Sequence, residues 1–217
     1  MVYFKDRRDA GKQLGHFLEK YKDHGVIVYG LPRGGVVVAE EVANFLHAPL
    51  DLIFAHKIGH PYQPEYAIAA VSESGHLVGA SYELLTVGDA WLDSEKKSQL
   101  EQMQRRRSAY LGGKLDLPIK DKVAIIVDDG IATGLTMQVA IKELQGKHPK
   151  KIVVAVPVVP LRTAHLIQAL GTEVVAVEIP EDYKFLGAVG AYYDEFYQVE
   201  DQEVISILMK FHGKAHP

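Results

Sequence analysis

An apolar run, a short loop and then a helical pattern recur three times in this 217-residue chain, and that unit constrains the fold more than any other feature. Val26 to Tyr29 (VIVY) leads through Gly30 to Gly35 (GLPRGG) into Val36 to Leu46. Val123 to Val127 (VAIIV) leads through Asp128 to Gly134 (DDGIATG) into a helical pattern ending near Gln145. Ile152 to Val159 leads around Pro160 into Leu161 to Leu170. Short β-branched runs alternating with helical stretches predict βαβ units and a parallel sheet. In the second helix Met137, Ile141 and Leu144 fall on one stripe, which predicts a buried face. Further strands are expected at Leu50 to Phe54, Tyr66 to Val71 and Glu173 to Val177. Asp6 to Lys22 reads as an amphipathic opening helix with Leu14, Phe17, Leu18 and Tyr21 inward. Ser94 to Leu111 reads as a long polar helix, Gly112 to Asp121 as a turn-rich connector and Asp201 to Phe211 as a closing helix. The expected organisation is one domain over residues 1–217.

Composition narrows the chemistry. The chain has no Cys, which removes disulfide frameworks, Cys-ligated zinc, iron–sulfur clusters and thiol nucleophiles together. A formal net charge of −4 argues against a surface devoted to nucleic acid. Met1 to Gly11 is charged and lacks the apolar core of a signal peptide. The most apolar stretch, Ile152 to Leu161, is about half the ~20 residues of a bilayer span and holds two prolines. The expected location is the cytoplasm, with no membrane partner.

Val123 to Thr136 (VAIIVDDGIATGLT) carries the most chemical information. A buried strand ends in two adjacent carboxylates, Asp128 and Asp129. A loop of small residues follows: Gly130, Ile131, Ala132, Thr133 and Gly134, with a helix starting at Leu135 or Thr136. Backbone N–H groups at a helix start are unpaired and carry partial positive charge. Small residues let a phosphate approach them, and Thr133 and Thr136 add hydroxyls. The two carboxylates suit hydroxyl donors such as those of a ribose. The combination reads as a cradle for a ribose 5-phosphate. Gly30 to Gly35 sits in the same strand-to-helix position, with glycines for close approach and one fixed cation, Arg33. It lacks the Lys-Ser/Thr of a P-loop. Alone, it is either a tight turn or an anion loop.

The VDDGIATG stretch resembles the phosphoribosyl-pyrophosphate (PRPP) motif of type I phosphoribosyltransferases. With the LPRGG loop, the AVPVVP strand and the AVGAYYDEFYQV stretch, the chain is most similar to a bacterial group of that family, over about Gly30 to Val204. The resemblance implies an α/β fold: a parallel central sheet flanked by helices, with a small hood that includes 180–197. It implies that Asp128 and Asp129 hold the ribose hydroxyls, with metal contact through water, and that Gly130 to Thr136 wrap the 5′-phosphate. It implies that Arg33, Gly34 and Gly35 bind pyrophosphate through a loop that often carries a non-proline cis peptide. Lys57 meets pyrophosphate oxygens, and His60 to Glu65 begins a lid. The implied cofactor is Mg²⁺, and the implied ligands are PRPP and a base-like acceptor. The hood would read the acceptor: it supplies Tyr183, Phe185, Tyr192 and Tyr193, with Tyr183, Phe185 and Tyr192 the candidate acceptor-stacking rings, although membership of a small apolar subcore is the favoured reading for any single ring. Many relatives dimerise, so a homodimer is a further expectation.

Ala132 stands where some purine-salvage members carry an Asp, which argues against a hypoxanthine or guanine acceptor. Three functions compete: Mg²⁺-dependent phosphoribosyl transfer, a regulator that senses PRPP or nucleotides without turnover, and a hydrolase or phosphorylase of phosphorylated sugars. The Arg105 to Arg107 run reads as a solvated face or a partner surface. His56 and His60 lack zinc-ligand context, and His212 and His216 lie in the tail.

Overall fold

A computed structural model describes residues 3–79, 81–113 and 116–212; His216 and the Lys114–Leu115 part of the connector lie outside the described residues. In chain order the elements are α1 (Arg7–Phe17), β1 (Val26–Gly30), α2 (Gly34–Leu46), β2 (Leu50–Leu52), β3 (Ala55–His60), β4 (Gln63–Ser72), β5 (Leu77–Gly79), α3 (Ser81–Thr86) and α4 (Asp89–Leu111). There follow β6 (Val123–Val127), α5 (Leu135–Gln145), β7 (Lys151–Val158), α6 (Leu161–Gln168), β8 (Glu173–Glu178) and α7 (Asp201–His212).

Five strands form a parallel sheet in the order β2-β1-β6-β7-β8. The period-2 alternation of each strand splits its side chains between two layers. Val26, Val28, Ile125 and Val153 face α1, α2 and α7, where Leu14, Val38, Val42 and Ile207 close the core. Ile27, Tyr29, Ile126 and Val154 face α5 and α6, against Met137, Ile141, Leu144 and Ile167. Both faces are therefore covered, which is why VIVY and VAIIV read as unbroken apolar runs rather than alternating ones. The parallel sheet flanked by helices is the architecture the family resemblance implies.

Several local expectations change. The opening helix stops at Phe17; Tyr21 lies in a separate 3₁₀ turn, and Phe17 is 52% exposed rather than inward. Asp6 caps the helix by accepting the N–H of Asp9 at 2.8 Å. The strand expected at Tyr66 to Val71 is the inner part of β4, which pairs antiparallel with β3 and β5 in a second, three-stranded sheet. His60 to Glu65, the expected start of a lid, is the turn and first residues of that hairpin. The polar helix begins five residues earlier than expected, at Asp89, and buries only Met103, Tyr110 and Leu111.

Candidate functional site

The strand order sets where a site forms. From β1 the chain returns to one side, to β2; from β6 it proceeds to the other, through β7 to β8. Crossovers that diverge in this way leave a crevice at the carboxyl ends of the two central strands. Gly30 is the register partner of Val127, and the Leu31 N–H donates to the Val127 carbonyl at 3.0 Å. The GLPRGG and DDGIATG loops, remote in sequence, therefore leave the sheet side by side.

They are packed to contact. A Cβ on Gly35 would stand 2.8 Å from both the Cα and Oδ1 of Asp128 and 2.9 Å from the Val127 carbonyl. A Cβ on Gly34 would run into Oδ2 of Asp129 and lie 2.9 Å from Nε of Arg7. Only glycine permits this approach of the two loops. The Pro32–Arg33 peptide bond is cis, as the resemblance leads one to expect. The Arg33 side chain departs from expectation. Its Nη1 lies 3.4 Å from Oδ1 of Asp201 and 3.8 Å from Oε2 of Glu200, at the start of α7. Arg33 does not line the cavity beside the carboxylates, because those two acidic groups draw the guanidinium away.

Asp128 and Asp129 sit just beyond β6. Oδ1 of Asp128 accepts the Asp129 N–H at 2.8 Å. Oδ2 of Asp129 accepts Nε of Arg7 at 2.8 Å, and its carbonyl accepts the Tyr193 hydroxyl at 2.6 Å. Burial, and then the adjacent Asp129 charge, push the Asp128 carboxyl well above the usual carboxylate range. Burial also raises Asp129, against the opposing pull of Arg7. Two half-buried carboxylates whose ionisation is opposed favour whatever brings them protons or positive charge: hydroxyl donors, or a cation.

The loop after them is anchored from outside. Ile131 donates its N–H to the Val158 carbonyl at 2.9 Å, and the Thr163 hydroxyl donates to the Ala132 carbonyl at 2.7 Å. Gly134 holds the left-handed turn into α5 at φ +80°, a conformation that side-chain-bearing residues adopt at a cost. From Ala132 to Met137 no N–H finds an acceptor among the described residues; the helix ladder starts with Gln138 donating to Gly134 at 2.9 Å. Of these residues Ala132, Thr133, Gly134 and Thr136 line a cavity of about 280 Å³, together with Asp128, Asp129, Gly130 and Ile131. Lys57 joins that lining from β3, and its charge favours the ionised form of Asp128. The small second sheet thus contributes a cation to a site built by the large one.

The aromatic stretch behaves differently from the expected acceptor wall. Tyr192 is fully buried, with its ring 5.7 Å from that of Phe185 and its hydroxyl accepting the Leu186 N–H at 3.3 Å. It is core and offers no face to an acceptor. Tyr183 is 81% exposed and Phe185 partly so; neither lines the cavity, where Val189 is the contribution of this stretch. One site residue escaped the sequence reading, and one expected among the acceptor-reading rings of the hood has another task. Arg7 is 6% exposed beside Asp129, and Tyr193 clamps the Asp129 backbone. The available signal was the sign of charge: Arg7 and Arg8 open a helix whose dipole disfavours cations there.

Comparison with known proteins agrees with the fold. The model of the phosphoribosyl transferase domain matches residues 8–194. A Mycobacterium tuberculosis protein provisionally named a phosphoribosyl transferase, known from two strains, is 39% identical over 214 residues, covering 98% of this chain and 48% of that protein. The chain thus spans about half the length of the curated relatives it matches. The crystal structure of TT1426 from Thermus thermophilus is 39% identical and covers 97% of this chain and 99% of that one, with a TM-score of 0.79. The AQ2163 protein of Aquifex aeolicus shares the fold at 13% identity, with a TM-score of 0.50 over 81% of this chain and 75% of its own.

Proposed function

This chain belongs to the phosphoribosyl transferase domain family, and on that premise we propose that it transfers the phosphoribosyl group of PRPP to a nitrogenous small-molecule acceptor, releasing pyrophosphate. One observation carries the reading: paired carboxylates, unsatisfied loop N–H groups and Lys57 line one cavity. In this reading Asp128 and Asp129 accept the ribose hydroxyls. The Gly130–Thr136 loop wraps the 5′-phosphate with Thr133, Thr136 and the free N–H groups of Ala132 to Met137. Gly34 and Gly35 give pyrophosphate room to approach the backbone, and Lys57 offsets its growing charge. The bond from ribose C1 to the pyrophosphate oxygen breaks, its electron pair leaving with pyrophosphate. A ring nitrogen forms the new bond to C1 and gives up its proton to the departing pyrophosphate. No side chain is required as a covalent nucleophile, and most of the acceleration comes from positioning and preorganised charge.

The donor set fits Mg²⁺, a hard cation that prefers oxygen. Among the described residues no three His, Cys, Asp or Glu side chains gather as a cage. The fit is therefore to an ion held by one or two carboxylates, water and the phosphates of the substrate. When bound, the ion supplies charge neutralisation on the pyrophosphate leaving group. Among the described residues no helix is long and apolar enough to cross a membrane. We place the protein in the cytoplasm, with residues 1–217 as one domain and neither nucleic acid nor membrane as partner. Pyrophosphate release from PRPP and Mg²⁺ across a panel of bases tests the proposal. Release with one base supports transfer; PRPP binding without turnover on any base favours a PRPP-sensing regulator; no PRPP binding refutes both.

A further inference from the structure

We propose that Arg7 is a positioning residue for Asp129, fixing one carboxylate oxygen so that the other is presented to a ribose hydroxyl. The inference rests on the phosphoribosyl-transfer reading. Arg7 opens α1, far from β6 in sequence, yet its Nε meets Oδ2 of Asp129 at 2.8 Å. Its Nη1 donates to the Tyr197 carbonyl at 2.7 Å, and its guanidinium carbon lies 3.8 Å from the centre of the Phe196 ring. A planar guanidinium with a carbonyl at one nitrogen, a carboxylate at another and a ring on its face has no freedom left. Asp129 is restrained from the other directions as well. Tyr193 holds its carbonyl, and the bare α-carbon of Gly34 abuts Oδ2. Oδ1 makes no hydrogen bond among the described residues, and Asp129 lines the cavity.

The chain accepts two unfavourable terms to keep this arrangement. A cation in the first turn of a helix opposes the dipole, and a guanidinium that is 6% exposed has lost most of its water. Its compensating contacts converge on Asp129 and on residues 196–197. That segment is brought in by pairing with the residues just before α1: Phe4 donates its N–H to the Tyr192 carbonyl at 2.8 Å, and Asp194 and Glu195 donate to the Phe4 and Lys5 carbonyls at 2.8 and 2.9 Å. The 193–197 stretch, the last part of the expected hood, therefore acts as the support behind a ribose-binding carboxylate. Gly190 belongs to the same support, because a Cβ there would stand 2.7 Å from the Phe196 ring.

The test measures affinity for PRPP with Mg²⁺ and, separately, for inorganic phosphate, in the wild type, Arg7→Gln and Arg7→Lys, each checked for cooperative melting. Arg7→Gln should weaken PRPP by about tenfold or more, the size of a charge-assisted hydrogen bond, while phosphate affinity stays within about twofold. Arg7→Lys, which keeps the charge but cannot span both acceptors, should fall between the two. If Arg7→Gln does not melt cooperatively, Arg7→Lys decides: a PRPP affinity about threefold or more below wild type, with phosphate unchanged, supports the role. Wild-type PRPP affinity in a folded variant overturns the proposal. An equal loss of PRPP and phosphate also overturns it, since a merely structural role predicts that. A wild type that binds no PRPP brings down the functional reading itself, whereas normal wild-type binding with an indifferent Arg7 removes only this inference.

Discussion

Replacing Gly35 with Ala tests the contact on which the whole site depends. The added methyl would meet Asp128 Cα and Oδ1 at 2.8 Å and the Val127 carbonyl at 2.9 Å. Carbon atoms in comfortable contact lie ~3.5–4.0 Å apart, so the overlap approaches an ångström. Two of the three obstacles are backbone atoms at the end of β6, a strand that is buried throughout and paired on both sides. They cannot rotate away as a side chain could. Overpacking of this kind costs ~1–3 kcal/mol. Against it stands a gain of ~0.5–1 kcal/mol for Ala over Gly inside a helix, leaving a net loss of up to about 2.5 kcal/mol. For a chain of this size, that lowers the melting temperature by up to about 10 °C. Because the displaced atoms belong to Asp128, PRPP affinity should drop by at least about tenfold, as expected when a binding group moves by a fraction of an ångström. Thermal denaturation and calorimetric titration with PRPP and Mg²⁺ measure both. Gly146→Ala is the control. Its φ of −62° suits Ala and its nearest neighbour would be 3.5 Å away, so it should be neutral or stabilising by up to ~1 kcal/mol. A Gly35→Ala protein that melts within about 1 °C of wild type and binds PRPP within about twofold would refute the close-packing account.

The other predictions concern charge and burial. Asp128→Asn with Asp129→Asn should abolish PRPP binding in calorimetry while cooperative melting persists, since burial already opposes the charged form of both groups. Burial opposes ionisation of Glu173, but hydrogen bonds from Lys151, Lys20 and Tyr21 outweigh it and hold the carboxyl at about 2, below its ordinary 4.5. A depressed carboxyl stabilises above its unfolded value and loses that contribution as pH falls through the folded one. The melting difference between wild type and Glu173→Gln should therefore be greatest above pH 4.5 and shrink toward pH 2. Tyr192→Ala should cost ~3–5 kcal/mol in denaturant titration, as a fully buried ring, whereas Tyr183→Ala, 81% exposed, should stay within ~0.5 kcal/mol.

How much of this was legible in the sequence depends on how local the cause is. The β6–loop–α5 unit was legible nearly to the residue. A strand covered on both faces must be continuously apolar, two carboxylates cannot continue it, and a phosphate-sized approach needs small residues. The hairpin of β3 and β4 was not. The β3 sequence AHKIGH has neither an apolar run nor clean alternation, because its residues are divided between a partner strand, α4 and the open side that presents Lys57. Tyr183 and Tyr192 stand in one stretch and look alike, yet one is solvated and the other is core. Their difference is made by Phe4, Phe185 and Val158, residues their neighbours in sequence do not announce. The family resemblance gave the guanidinium of Arg33 to pyrophosphate; the acidic start of α7 redirects it. By itself the sequence determined the layers, the strand ends and the chemical character of the cradle, since these follow from periodicity and from what a buried strand tolerates. Only the tertiary structure decided which charges meet: Arg7 with Asp129, Arg33 with Asp201, Lys57 in one cavity with Asp128. Such pairings join residues that lie far apart along the chain, and nothing local encodes them.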